Sequence, residues 1–144
     1  MDNHIVHKQI DIKATPEEVW DALTNPEKTK EYFFHCRVFS DWKPGSPITF
    51  KGKMFLLINI EMHGTIIKAE TGKHLEYILK NRDDENESQS HVTDLLSYND
   101  GITTLSVTDN VGSGEGAEER YKKSIKGWDK VLEGLKELVE NDNQ

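Results

Sequence analysis

Apolar residues recur at even spacings at the start of the chain. Val6, Ile10 and Ile12 therefore share one face of an extended strand over residues 4–12. The pattern then changes. Thr15 offers a capping hydroxyl, Pro16 suits the first helical position, and Glu18 completes a capping box. Val19, Trp20 and Leu23 give this short helix its apolar face. Asn25-Pro26-Glu27 repeats the same start and predicts a second short helix to about residue 32.

Extended segments follow. Residues 37–39 and 48–53 read as strands, separated by a turn at Lys43-Pro44-Gly45. The β-branched run over 54–69 is extended, with a turn near Phe55–Asn59. Residues 75–80, 91–98 and 102–109 are three more strands. The acidic stretch 83–87 is a solvated hairpin loop, and Asn99-Asp100-Gly101 is a hairpin turn. Gly112-Ser113-Gly114-Glu115-Gly116 reads as a flexible hinge before a helix of about 25 residues, roughly 37 Å long. Tyr121, Ile125, Trp128, Leu132, Leu135 and Val139 form one stripe along it. Hairpin-linked strands imply a mostly antiparallel sheet, and the stripe has only that sheet to bury against. Gly127, inside the helix, predicts a close approach of helix backbone to sheet, and Gly134 raises the same expectation.

Composition narrows the possibilities. The 144 residues suit one domain spanning 1–144, with 35% hydrophobic and 31% charged residues. No apolar run approaches the roughly 18 residues of a membrane helix, and no leader is evident, so a soluble, cytoplasmic protein without membrane insertion is expected. A net charge of −8 weighs against nucleic acid as a partner. The single cysteine, Cys36, excludes an internal disulfide and a multi-cysteine zinc site. Exposed sheet edges make a homodimer an expectation.

Several motifs then fall in a recognisable order. Ala14-Thr15-Pro16-Glu17-Glu18-Val19-Trp20 resembles the opening of the START-like (SRPBCC) superfamily, and more closely the family named for the activator of the Hsp90 ATPase. Asp41-Trp42-Lys43-Pro44-Gly45, His63-Gly64-Thr65-Ile66-Ile67, Leu75-Glu76-Tyr77, Thr103-Thr104-Leu105 and Gly127-Trp128 are similar to that family's later marks. The resemblance implies an α+β helix-grip (Bet v 1-like) fold: a curved antiparallel sheet of about seven strands, two short helices and a long C-terminal helix. It also implies a cavity between sheet and long helix that receives an apolar molecule. The family's eukaryotic activator has a separate N-terminal domain for chaperone binding, whereas this chain begins at the helix-grip strand. That departure weighs against co-chaperone action.

The candidate chemistry centres on this cavity. Tyr32, Phe33, Phe34 and Phe39, with Phe50, Phe55, Met54 and Met62, are candidate wall residues or plain core. Tyr77, Tyr121, Ile125 and Trp128 complete the apolar lining. Asp94 lies between Val92 and Leu96 at period two and should face inward, where an ionised carboxylate is costly and its pKa rises. His63 and Tyr98 are its candidate catalytic companions. The histidines form no recognisable metal motif, and neither metal nor cofactor is expected. Cys36 is expected to be buried and inert. Gly112–Ala117 matches a dinucleotide fingerprint, but Glu115, Glu118 and Glu119 would repel pyrophosphate.

The leading expectation is therefore a binding protein for a small lipophilic molecule. The alternatives are a cyclase- or hydrolase-like enzyme using Asp94, His63 and Tyr98, and a stress-response protein that contacts the Hsp90 chaperone through its surface.

Overall fold

In the computed structural model, which describes residues 4–54, 58–80 and 89–142, the chain runs β1 (Ile5–Ile12), α1 (Pro16–Thr24), α2 (Pro26–Tyr32), β2 (Cys36–Ser40), β3 (Pro47–Met54), β4 (Ile58–Glu70), β5 (His74–Lys80), β6 (Gln89–Asn99), β7 (Ile102–Asn110) and α3 (Ala117–Asp142). The seven strands form one antiparallel sheet in the order β1-β7-β6-β5-β4-β3-β2. Every strand from β2 to β7 pairs with its sequence neighbour, and β1 closes on β7. The two helices α1 and α2 carry the chain from one sheet edge to the other. The expected α+β helix-grip architecture is what the chain adopts.

Local chemistry explains the boundaries. The Thr15 hydroxyl accepts from the Glu18 amide, and the Glu18 carboxylate returns to the Thr15 amide, so the capping box is complete. The Asn25 side chain accepts from the Glu27 amide to start α2. The Lys43–Ser46 turn is closed by the Ser46 amide on the Lys43 carbonyl, with Gly45 at φ 87°. Only glycine takes that backbone readily, and Pro44 before it makes this a type II turn. Ile66, at the β4 irregularity, binds both sides of it: its carbonyl accepts from Gly45 and its amide donates to Ser46. Asp100 and Gly101 both have positive φ, as a two-residue type I′ hairpin requires.

The core lies between the concave sheet face and α3. Leu105, Val107, Val92, Ile66 and Ile48 point into it from the sheet. Leu135, Leu132, Val131 and Val139 meet them from α3. The predicted helical stripe is buried only in its C-terminal half. Tyr121, Ile125 and Trp128 are half-buried, and Val131 joins the buried set. Polar contacts fasten α3 to β1 and the residue that follows it: Lys8 pairs with Asp129 at 2.9 Å, and Glu140 accepts from the Lys13 amide at 2.9 Å.

Two expectations about glycines need correction. The 112–116 segment is braced, because the Arg120 guanidinium donates to the carbonyls of Val111, Ser113 and Glu115. Gly127 faces the Phe34 ring, where an added Cβ would lie 3.5 Å from Cζ, and not the sheet. The tight helix crossing is at Gly134 instead, where an added Cβ would lie 2.9 Å from Cβ of Tyr32. The expected acidic hairpin loop at 83–87 and the turn residues 55–57 lie outside the described residues.

Candidate functional site

Between the sheet and the C-terminal half of α3 lies a partly enclosed cavity of about 20 Å³, room for about one water molecule. Its lining is almost wholly apolar. Four rings run along it in sequence: Trp128 meets Phe33 edge-on at 6.1 Å, Phe33 stacks on Phe50 at 4.9 Å, and Phe50 lies 6.1 Å from Tyr77. Tyr32 reaches it from the end of α2, with its hydroxyl donating to the Ala22 carbonyl at 2.7 Å. Burial, together with the nearby Asp94 carboxylate, pushes the Tyr32 and Tyr77 phenols well above their usual range. Both stay protonated.

Among the described residues that line the cavity, Asp94 carries the one carboxyl group. It sits on β6 opposite Leu75 of β5 and Val107 of β7, and it is 3% exposed. Its Oδ1 is buried without a hydrogen-bond partner. Burial raises its carboxyl to about 7, with a smaller contribution from the charge of Asp109. Asp109 lies diagonally across on β7, because Val92 pairs with Asp109 and Asp94 with Val107. One turn of α3 holds it: Ser124 Oγ and Trp128 Nε1 both donate to Oδ2, at 2.7 and 2.9 Å. Its Oδ1 is also buried without a partner.

Of the candidate site residues, Tyr32, Phe33, Phe50, Tyr77, Asp94 and Trp128 line the cavity. The others do not. His63 is on the outer face of β4, with Nε2 3.1 Å from the Glu61 carboxylate. Its neighbour Met62 carries the inward position opposite Phe50, but packs on the core beside the cavity. Tyr98 has the parity of Asp94, yet it sits at the end of the β6–β7 hairpin and is 52% exposed. Tyr121 packs edge-on against His4 at the N-terminal end of α3, and Ile125 stops short of the cavity. Phe34 and Phe39 are exposed. Phe55 and the Met54 side chain lie outside what is described. The three-residue catalytic grouping is thus not assembled, and Asp94 stands without the other two.

Sequence reasoning missed Trp42 as a wall residue and missed Asp109 entirely. The signal for Asp109 was present, since it continues the inward series Thr103, Leu105, Val107 at period two. Trp42 depends on the Lys43–Ser46 turn folding its indole back over the sheet edge, which no periodicity encodes. Trp42 and Val38 line the cavity and also an outer groove of about 390 Å³ between α1, β2 and β3. Trp42 has φ 56°, a conformation that a bulky residue adopts only under constraint.

Cys36 is fully buried, its thiol directed at the Phe34 carbonyl at 3.6 Å, and burial pushes its pKa up. That environment suppresses thiolate formation. Among the described residues, no group of three or more metal-ligating side chains could hold an ion, and no helix is long and apolar enough to cross a membrane.

Comparisons with known proteins agree with this architecture. Among solved structures, a protein of Cytophaga hutchinsonii (ChR145) is 33% identical, with a TM-score of 0.75 over 99% of this chain and 98% of its own. Protein MLL2253 of Mesorhizobium loti is 22% identical, with a TM-score of 0.79 over 95% and 97%. SA2116 of Staphylococcus aureus, described as a protein of unknown function, is 14% identical, with a TM-score of 0.78 over 99% and 98%. No curated protein matches. The profile of the family described as activator of Hsp90 ATPase homolog 1-like protein matches residues 13–140, and the chain belongs to that family.

Proposed function

We propose that this chain binds a small lipophilic molecule between its sheet and α3, in the cavity that Asp94 faces. The observation that carries this reading is the Asp94 Oδ1 atom, buried among rings with no donor. A buried acceptor left unpaired costs roughly 1–3 kcal/mol. A ligand that donates to it relieves that cost, while its apolar body gains about 25 cal/mol for each Å² buried. The cavity is filled by its own side chains at rest, so a ligand must displace some of them. The groove behind Trp42 and Val38 is the short route in. The reading carries over the expectation of a cytoplasmic, single-domain binder.

The test is native mass spectrometry of freshly purified protein, followed by solvent extraction. A stoichiometric apolar adduct is expected, lost in Trp128→Ala while circular dichroism shows the fold retained. If no adduct is found and added naphthalene-based probes also fail to bind, the cavity reading is overturned. A surface contact, such as one with a chaperone, would then take its place.

A further inference from the structure

The cavity's charge is unbalanced. Asp94 and Asp109 are diagonal neighbours on the same inward face, and each keeps one buried oxygen without a donor. The groups facing Asp94 are Asp109 from β7, Tyr77 from β5 and Tyr32 from α2. None of these can supply positive charge. Among the described residues that line the cavity there is no lysine, arginine or histidine. A carboxyl group placed among stacked rings, without an internal counter-ion, is complementary to a cation. Ring faces attract a desolvated cation in addition, by roughly 2 kcal/mol.

Resting on the binding reading above, we propose that the ligand is an apolar amine, bound as its ammonium with the N–H groups on Asp94 and its body among Phe33, Phe50, Tyr77 and Trp128. The ammonium supplies the donors that Oδ1 lacks, and its charge offsets the repulsion between Asp94 and Asp109. A neutral alcohol satisfies one acceptor and leaves the charge problem untouched. A carboxylate adds a third anion. Because the free Asp94 carboxyl titrates at about 7, ammonium binding should tighten as pH rises through neutrality. A ligand that instead accepts a hydrogen bond from protonated Asp94 would weaken over the same range.

Three probes with one body separate these cases: 2-naphthylmethylamine, 2-naphthylmethanol and 2-naphthoate, titrated by calorimetry at about pH 6 and about pH 8. The amine should bind about tenfold or more tighter than the alcohol at the higher pH, and the naphthoate weakest. The amine's advantage should shrink at the lower pH and disappear in Asp94→Asn. If the alcohol or the naphthoate binds as tightly as the amine, or if the preference survives in Asp94→Asn, the cation assignment is overturned and the cavity reading stands. If none of the three binds, the amine assignment is overturned, and the cavity reading is decided by whether the purified protein carries an apolar adduct.

Discussion

Asp94 makes stability depend on pH in an unusual direction. The folded protein holds its proton to about pH 7, against a reference value of 3.8 for an unburied carboxyl. Between those values the native state binds more protons than the unfolded chain, so stability falls as pH rises. The contribution is fully present below about pH 4 and lost above about pH 7. Glu76 on the outer side of β5 works the opposite way: hydrogen bonds from His91 and His74 hold its carboxyl below the usual range, opposed by partial burial. Its stabilisation is lost as pH falls. In Asp94→Leu the inverted contribution is gone. Urea denaturation should show the variant gaining on the wild-type protein by about 3 kcal/mol between pH 5 and pH 8. A difference that stays constant with pH would mean that Asp94 titrates as an ordinary carboxyl. At this scale the sequence was informative where parity decides the outcome. Val92, Asp94 and Leu96 alternate cleanly, and Asp94 faces inward as expected. Parity does not say where along the strand the covering helix ends, so Tyr98 is misplaced. The same alternation does place His63, because Ile58, Ile60 and Met62 alternate with Asn59, Glu61 and His63, which puts His63 on the outer face.

At the scale of elements, caps and turns were read correctly because their chemistry is local. Thr15 with Glu18, Asn25 before Pro26, and Asp100-Gly101 each act within four residues. The helix crossing is not local. Gly127 and Gly134 look alike in sequence, and both lie inside α3, but only Gly134 lies against the backbone end of α2. Helix propensity alone favours Gly134→Ala by about 1 kcal/mol. The Tyr32 Cβ at 2.9 Å reverses that preference, because the neighbour is main-chain-proximal and cannot swing aside. Gly134→Ala should therefore lower the melting temperature, and Gly127→Ala should leave it equal or higher. If both substitutions stabilise, the α2–α3 contact is softer than its geometry indicates.

At the scale of the whole molecule, the sheet and α3 enclose a cavity whose outer wall includes Trp42, a residue on a constrained loop tied to the β4 irregularity. Stopped-flow mixing with 2-naphthylmethylamine should give an observed rate that levels off at high ligand, because wall movement comes first. Trp42→Ala should raise the plateau several-fold and leave the Asp94-dependent preference intact. A rate that climbs linearly with concentration in the native protein would show an already open route. How widely the walls part for a ligand is a property of the assembled fold, and no local pattern in the sequence contains it.

A cavity of about 20 Å³ at rest also sets a threshold on what can occupy it. Every occupant's affinity is reduced by the fraction of molecules that are open, so a 1% open population weakens all ligands about a hundredfold. On the proposed binding function, abundant, weakly matched apolar solutes should fall below that bar, while a molecule that also neutralises the interior charge should clear it. If the chain binds as proposed, its tight interior acts in this sense as a filter against the hydrophobic background of its surroundings.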